Sequence, residues 1–378
     1  MCAASAGAWA QQAMQETAEL KLQPMAAVPP ISEDGSITTP SFQLPFSYYA
    51  SPEARTAFIA SMKMNAAVAA AQGAERNAPK DMLALRRLVA PMQASTAKKA
   101  AVAYPYASEK VRIAGVAVEM FTPVSGITPE NRGRILINIH GGGGFLGAGG
   151  VGGVIESAPV AHYGHIKVAA IDYRMAPEYT FPAPLEDVAA VYRELLKTYR
   201  PENIGLYGCS SGGFITAEMV AWFQHVGLPE PAALGVLCAS LLPDTQGDSA
   251  YLSAYFSGGV LPSHEIDQVL DGPSMRGVER TNALAVPEAS EEVLRAFPPT
   301  LFLTGSRAPE MSAATHSHLR LLDLGVTAEL VLFDGMGHGF YTNPDLPESA
   351  LAHRVIVRFF AEHLGHKPPR IKDRTASH

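Results

Sequence analysis

The sequence predicts an α/β protein with a mostly parallel central sheet and helices on both faces. Short apolar runs alternate with helical segments, which is the order expected when each parallel strand is followed by a crossover helix. Most of these runs are apolar throughout, as in strands that are buried on both faces of a sheet. Frequent turns separate the segments, since the chain has 33 glycines and 29 prolines among 378 residues.

The predicted elements follow one another from residue 111 onward. The first strand is Val111–Phe121, and it is followed by Arg134–His140, Ile166–Asp172, Asn203–Gly208, Ala232–Ala239, Thr300–Thr304 and Ala328–Phe333. The predicted helices between and after them are Pro184–Tyr199, Ser211–His225, Ser312–Leu324 and Ala350–Leu364.

Composition also suggests where the domains begin and end. We predict an N-terminal extension over 1–45, a helical cap segment over 46–100, the α/β domain over 101–365 and a tail over 366–378. Residues 243–297 interrupt the α/β alternation and are rich in Ser, Gly and Pro. A loop this long inside a compact domain is usually a lid or a binding segment. The alternative is a surface excursion that packs on the core.

Charge and cysteine content exclude several classes of protein. The formal net charge is −7 and no dense Lys/Arg cluster occurs, so we expect no nucleic-acid partner. Three scattered cysteines are too few for a disulfide framework or a structural zinc site, and no other metal-ligand spacing accompanies the motifs, so we expect neither metal nor cofactor. No apolar run is long enough to span a bilayer. The sequence leaves a homodimer open.

The N-terminus gives a hint about localisation. Ala8-Trp9-Ala10 fits the small-residue cleavage site of a signal peptide, although no basic region precedes it. This favours a periplasmic or secreted protein. The alternative is an ordinary N-terminal start, which would suit a cytoplasmic protein.

A serine lies between a predicted strand and a predicted helix, in Gly208-Cys-Ser210-Ser-Gly212. The flanking glycines allow a sharp turn that exposes the Ser210 hydroxyl above the sheet, as in a G-x-S-x-G nucleophile elbow. The first turn of the following helix supplies N–H groups without intrahelical acceptors. We therefore predict that Ser210 is a nucleophile.

Two further glycine-rich segments follow predicted strands. His140 to Gly144 is a histidine and four glycines, and we predict that the N–H groups of Gly142 and Gly143, with that of Ser211, form an oxyanion hole. The alternative, a phosphate-binding loop, lacks the Lys that such a motif needs. His338 lies in a glycine-flanked loop after the last strand, and we predict that it is the general base.

These motifs resemble the hormone-sensitive-lipase-like branch of the α/β-hydrolases. The resemblance rests on the segments at 137–143, 172–187, 208–212 and 335–340, and it covers residues from about 100 to 365. It implies an α/β-hydrolase fold with a helical cap. It also implies a serine carboxylesterase (EC 3.1.1.-) that acts on short to medium acyl esters and needs no cofactor. The family stretch that we interpret as architectural is matched here by Asp172, Arg174, Glu178 and Asp187.

The triad acid departs from the family pattern. The family has Asp at the position where this chain has Ala308, and Glu310 follows two residues later in the same loop. We predict that Glu310 completes a Ser-His-Glu triad, with Asp334 as the competing candidate. Lactonase, deacetylase and polymer-degrading esterase activities stay open as alternatives on the same scaffold. A non-catalytic small-molecule receptor is the alternative from a different class, but such a receptor typically lacks the base.

Overall fold

The computed structural model describes residues 31–33, 35–38, 43–72, 82–243, 246–257, 272 and 274–366. The predicted signal-peptide segment at 1–10 and the tail after His366 lie outside them. The chain divides into two compact units, Met1–Pro45 and Phe46–His378. In the first unit, an isolated antiparallel bridge joins Ile31 and Ile37. The second unit contains the α/β domain.

The strands and helices are numbered here in chain order. The strands are β1 Tyr106–Ile113, β2 Val116–Pro123, β3 Ile135–Ile139, β4 Lys167–Asp172, β5 Ile204–Cys209, β6 Ala233–Leu237, β7 Thr300–Gly305 and β8 Ala328–Phe333. The helices are α1 Pro52–Gln72, α2 Met82–Ala103, α3 Val151–Gly164, α4 Ala183–Leu195, α5 Ser211–His225, α6 Asp248–Ser257, α7 Glu291–Arg295, α8 Met311–Asp323 and α9 Pro347–His363.

The described residues form one sheet of eight strands in the order β1-β2-β4-β3-β5-β6-β7-β8. β2 is antiparallel to β1 and β4, and all the other neighbours are parallel. Every residue of β3, β5, β6 and β7 is buried, because helices cover both faces of the sheet. The mostly parallel α/β architecture predicted from the apolar runs is therefore confirmed.

The prediction of a single strand over Val111–Phe121 is wrong. The chain forms a hairpin instead, in which Ile113 pairs with Val116 across a two-residue turn. Ala114 and Gly115 both have positive φ values, 50° and 86°, as in the tight turns that match the twist of antiparallel strands. An Ala-Gly pair inside an apolar run is a weak turn signal, and the alternation continues on both sides of it.

The predicted cap and lid segments contain helices in their described parts. α1 lies within the 46–100 segment, and α2 begins there and runs on to Ala103. The 243–297 segment contains α6 and α7, and residues 244–245, 258–271 and 273 lie outside the described residues. Among the described residues, no helix is long and apolar enough to cross a membrane.

Candidate active site

Ser210 occupies the sharp turn between β5 and α5. Its backbone has φ 56° and ψ −123°, a strained conformation that side-chain-bearing residues rarely adopt and that is concentrated at functional sites. The turn packs directly on the end of β3: a Cβ atom on Gly212 would lie 1.8 Å from the carbonyl oxygen of Ile139. Glycine at 212 is therefore required for this close approach, which holds the Ser210 hydroxyl at the carboxyl edge of the sheet.

The loop after β3 turns tightly over the same edge. Gly142 has a φ of 131°, and its carbonyl oxygen accepts hydrogen bonds from the N–H groups of Phe145 and Leu146. A Cβ atom on Gly142 would lie 2.5 Å from the carbonyl oxygen of Leu146, so no larger residue fits this turn. Gly143 and Ser211 line the same cavity as Ser210, and Gly142 directly precedes Gly143. Ser211 begins α5, so its N–H has no acceptor within the helix.

The structure brings three of the predicted site residues into one hydrogen-bonded row. Nε2 of His338 lies 3.0 Å from Oγ of Ser210, and Nδ1 of His338 lies 2.9 Å from Oε2 of Glu310. The glycine-flanked loop after β8 presents the imidazole, and the turn before α8 presents the carboxylate. This is the arrangement in which a hydroxyl donates to one ring nitrogen while the other ring nitrogen donates to a carboxylate.

A threonine on the neighbouring strand holds the Glu310 carboxylate. Thr304 near the end of β7 donates its hydroxyl to Oε1 of Glu310 at 2.8 Å, and the Glu310 residue is only 3% exposed. Asp334, the competing candidate, is bonded elsewhere. Its carboxylate accepts hydrogen bonds from the hydroxyl groups of Ser47 and Ser306, the latter at 3.0 Å.

The environment of His338 makes its imidazole a stronger base. Desolvation in the cleft lowers the pKa of His338, but the negative charge of Glu310 and its hydrogen bond raise the pKa by more, to about 9. The side chain still has 43% of its surface accessible, so the ring edge opens into the cleft. The carboxylate partner therefore increases the proton affinity of the imidazole.

A cavity of about 400 Å³ opens beside this row of residues. Ser210, His338 and Glu310 line one part of it, and the rest is mostly apolar. The remaining walls come mainly from the loop after β3, the start of α4 and the segment before it, one face of α5, the segment after β6 and the described residues Gly272, Ser274 and Met275. The segment predicted to be a lid thus contributes directly to the cavity.

Comparisons with known proteins identify the family of this chain. Residues 136–342 match the family described as the alpha/beta hydrolase fold, which is more than half of the chain. The chain belongs to the hormone-sensitive-lipase-like branch of the α/β-hydrolases. The resemblance seen in the sequence motifs and the predicted fold are both confirmed.

Individual relatives support the same assignment. The sequence is 29% identical to "Esterase LipU" of Mycobacterium tuberculosis over 283 residues, which are 72% of this chain and 90% of that protein. A solved esterase, E25, superposes with a TM-score of 0.74 at 25% identity and covers 87% of this chain and 99% of its own. An esterase from the bacterial hormone-sensitive lipase (HSL) family gives a TM-score of 0.69 at 27% identity, over 83% of this chain and 99% of its own.

Glu156 links the two backbone turns of this hydrolase, and the sequence analysis missed it. The buried carboxylate of Glu156, on α3, accepts hydrogen bonds from the N–H of Gly141 at 2.7 Å, from the N–H of Cys209 at 3.2 Å and from the Asn138 amide at 3.0 Å. Burial raises the pKa of Glu156 well above its usual range. One side chain therefore fixes the start of the glycine loop against the residue that precedes Ser210.

Arg86 ties the N-terminal helix α2 of the hydrolase to the glycine loop, and it too was missed. Its guanidinium donates to the carbonyl oxygens of Phe145 at 2.8 Å and Ala176 at 2.6 Å and pairs with the Glu178 carboxylate at 2.8 Å. Charged residues of the 172–187 stretch, for which we expect an architectural role, likewise form ion pairs. Arg174 pairs with Asp187 at 2.9 Å within it.

Two free cysteines, Cys209 and Cys238, lie close to the nucleophile of the hydrolase, and both are buried. Cys209 directly precedes Ser210, and Cys238 lines the cavity. The interaction with Cys209 and burial raise the pKa of the Cys238 thiol well above its usual range. Within the part of the chain that the structure describes, no group of three His, Cys, Asp or Glu residues is placed to hold a metal ion.

Proposed function

We propose that the protein, a carboxylesterase of the α/β-hydrolase family, cleaves short to medium acyl esters through a Ser-His-Glu triad and an acyl-enzyme intermediate. The observation that carries this proposal is the hydrogen-bonded row from Ser210 Oγ through His338 to Glu310, at the edge of a mostly apolar cavity. A cavity of about 400 Å³ suits a small ester. Export and homodimer formation stay predictions from the sequence.

In the first half of the reaction, neutral His338 accepts the Ser210 proton at Nε2 while Oγ attacks the ester carbonyl carbon. The carbonyl electrons move onto oxygen, and the N–H groups of Gly142, Gly143 and Ser211 are the proposed donors to that oxyanion. Losing one such donor costs enzymes of this kind about 3–4 kcal/mol of transition-state stabilisation. The alcohol then leaves with the proton from His338, and Ser210 carries the acyl group.

In the second half, His338 takes a proton from water as the water oxygen attacks the acyl carbon. The collapse of the second tetrahedral intermediate returns the proton to Ser210 and releases the carboxylic acid. Throughout, Glu310 holds the imidazole with Nδ1 protonated and stabilises the imidazolium that forms twice per cycle. This role matches its buried carboxylate at 2.9 Å from Nδ1.

The test is pre-steady-state hydrolysis of p-nitrophenyl butyrate. We expect a burst of p-nitrophenol equivalent to the enzyme concentration, and loss of that burst in Ser210→Ala. Ser125→Ala is the matched control, because Ser125 also lies 3.0 Å from a histidine nitrogen, that of His165, but outside the cavity. Full activity in Ser210→Ala would end the proposal. A panel of lactones, acetylated sugars and polyesters separates the alternative activities.

A further inference from the structure

One face of helix α5 forms a wall of the cavity from the nucleophile inward. Ser211, Phe214, Ile215 and Glu218 line the cavity, at the three- and four-residue spacing that places side chains on one face of a helix. Glu218 lies about 12 Å along the helix axis from Ser210, just over two turns of rise. Beyond Ser211, which follows the nucleophile directly, the helix presents the apolar side chains of Phe214 and Ile215 to the cavity before Glu218.

Glu218 is a buried acid that its surroundings leave unsatisfied. The residue is 2% exposed, and Oε1 has no hydrogen-bond partner among the described residues. Buried polar side chains in proteins nearly always have a partner, and each exception needs an explanation. Because the side chain borders the substrate cavity, a group on the bound ligand is the natural partner.

The charges around the cavity indicate which kind of ligand group would bind Glu218. No lysine or arginine is found among the described residues that line it, so nothing would neutralise an anionic substrate arm beside Glu218. Burial raises the pKa of Glu218 well above its usual range, which favours the neutral acid. A neutral carboxylic acid both donates and accepts hydrogen bonds, as a hydroxyl group does. A cationic arm would instead form an ion pair away from water, and the desolvation of both charges opposes such a pair.

We propose that Glu218 binds a hydroxyl group at the far end of one arm of the ester, so that the enzyme selects hydroxylated medium-chain esters. This inference rests on the proposed esterase function and names the class of substrate that the same site takes. The apolar stretch of α5 accommodates the intervening alkyl chain. A site built to bond a hydroxyl discriminates strongly against the analogue that lacks it, because its polar group is then left unpaired.

The test compares ester pairs that differ only in a terminal hydroxyl or a methyl in the same position. One series carries the group on the acyl arm, as p-nitrophenyl ω-hydroxyalkanoates and alkanoates; the other carries it on the alcohol arm, as butyrate monoesters of diols and of simple alcohols. Chains of roughly four to eight carbons bracket about 12 Å of helix rise. We expect one series to show a preference of about 10-fold in kcat/KM for the hydroxyl member at one chain length.

Two variants attribute that preference to Glu218. Glu218→Leu should reverse it in favour of the methyl member, and Glu218→Gln should retain part of it, because the amide still bonds a hydroxyl. Equal kcat/KM values across every pair in the unmodified enzyme would overturn the inference, even if Glu218→Leu failed to fold. So would a preference that persists in a folded Glu218→Leu, or a stronger preference for terminal ammonium esters.

A binding measurement separates this inference from the proposed function. In Ser210→Ala, calorimetric titration with the same pairs should give a dissociation constant about 10-fold lower for the hydroxyl member. If the hydroxyl member binds more tightly but the unmodified enzyme hydrolyses neither member, the esterase proposal is wrong and the hydroxyl site stands. If the enzyme hydrolyses both members and distinguishes them in neither measurement, only the hydroxyl site is wrong.

Discussion

Oε2 of Glu310 lies 2.9 Å from Nδ1 of His338, although the family pattern would place the triad acid two residues earlier, at Ala308. Ala308 is fully buried and has no polar side chain to offer. Glu310 directly precedes helix α8, and its side chain is one methylene longer than that of Asp. The carboxylate therefore meets the imidazole from a shifted position in the same loop, and Thr304 holds its other oxygen.

Glu310→Ala should lower kcat for p-nitrophenyl butyrate by about 10³- to 10⁴-fold, because the imidazole loses the partner that fixes its tautomer and stabilises its cation. Asp334→Ala is the matched control. It removes a carboxylate that lies four residues before His338 in the chain but bonds Ser47 and Ser306. We expect its kcat to stay within a few-fold of the unmodified enzyme.

The comparison of these two variants identifies the acid directly. A folded Glu310→Ala enzyme with unchanged kcat, together with a large loss in Asp334→Ala, would transfer the role to Asp334. Circular dichroism melting curves for both variants ensure that only folded protein enters the rate comparison.

The activity should rise with pH across the neutral range. His338 accepts a proton only when it is neutral, and Glu310 raises its pKa from 6.5 to about 9. We therefore expect kcat/KM to increase about tenfold per pH unit below the inflection and to level off above pH 9 or so. In Glu310→Gln the negative charge is gone, so the residual activity should show its inflection at lower pH. An inflection that stays in place would contradict the electrostatic account.

Local signals in the sequence predict much of the fold and the elbow. The buried strands β3, β5, β6 and β7 are visible in the sequence as short, mostly apolar runs, and α5 spans the residues predicted for it. Helix α3 was not predicted, because it begins Val151-Gly152-Gly153 and contains Pro159, residues that weaken a helical pattern. The hairpin turn at Ala114 was missed because the strand-like pattern continues on both sides of it, so the sequence favours one long strand.

The side-chain contacts that support the site could not be predicted from the sequence. Glu156 meets the N–H of Cys209, which is 53 residues away along the chain, and Arg86 meets Phe145 across 59 residues. Neither residue belongs to a recognisable motif, and a lone acidic or basic residue on a helix is usually solvated. Only the packing of α2 and α3 against the loops at the sheet edge reveals these roles.

Glu156→Gln should impair turnover more than substrate binding. The amide nitrogen would face one of the N–H donors that now point at a carboxylate oxygen, so either the Gly141 or the Cys209 contact is lost. We expect kcat to fall about 10- to 100-fold with KM changed less than threefold or so, because the turns that carry the proposed oxyanion donors and Ser210 lose their common support.

Glu230→Gln is the matched control for that variant. Both carboxyl oxygens of Glu230 are buried without a partner among the described residues, and the residue does not line the cavity. The two substitutions therefore make the same chemical change in a buried acid. Two outcomes would show that Glu156 is a purely structural residue. One is an equal fall in kcat for both variants, and the other is a lower melting temperature of Glu156→Gln with an unchanged kcat.

Thr304→Val should weaken the triad without removing any of its members. The substitution preserves the shape of a fully buried side chain on β7 but deletes the hydroxyl that donates to Oε1 of Glu310 at 2.8 Å. A hydrogen bond to a charged group contributes about 1.5–3 kcal/mol, so kcat/KM should fall roughly 10- to 150-fold. Thr304→Ser, which restores a hydroxyl, should recover most of the loss.

Thr300→Val controls for the loss of a buried hydroxyl on the same strand, since Thr300 bonds the carbonyl oxygen of Pro298 at 2.8 Å. Equal kcat/KM values for the two valine variants would show that Thr304 acts on stability and not through Glu310.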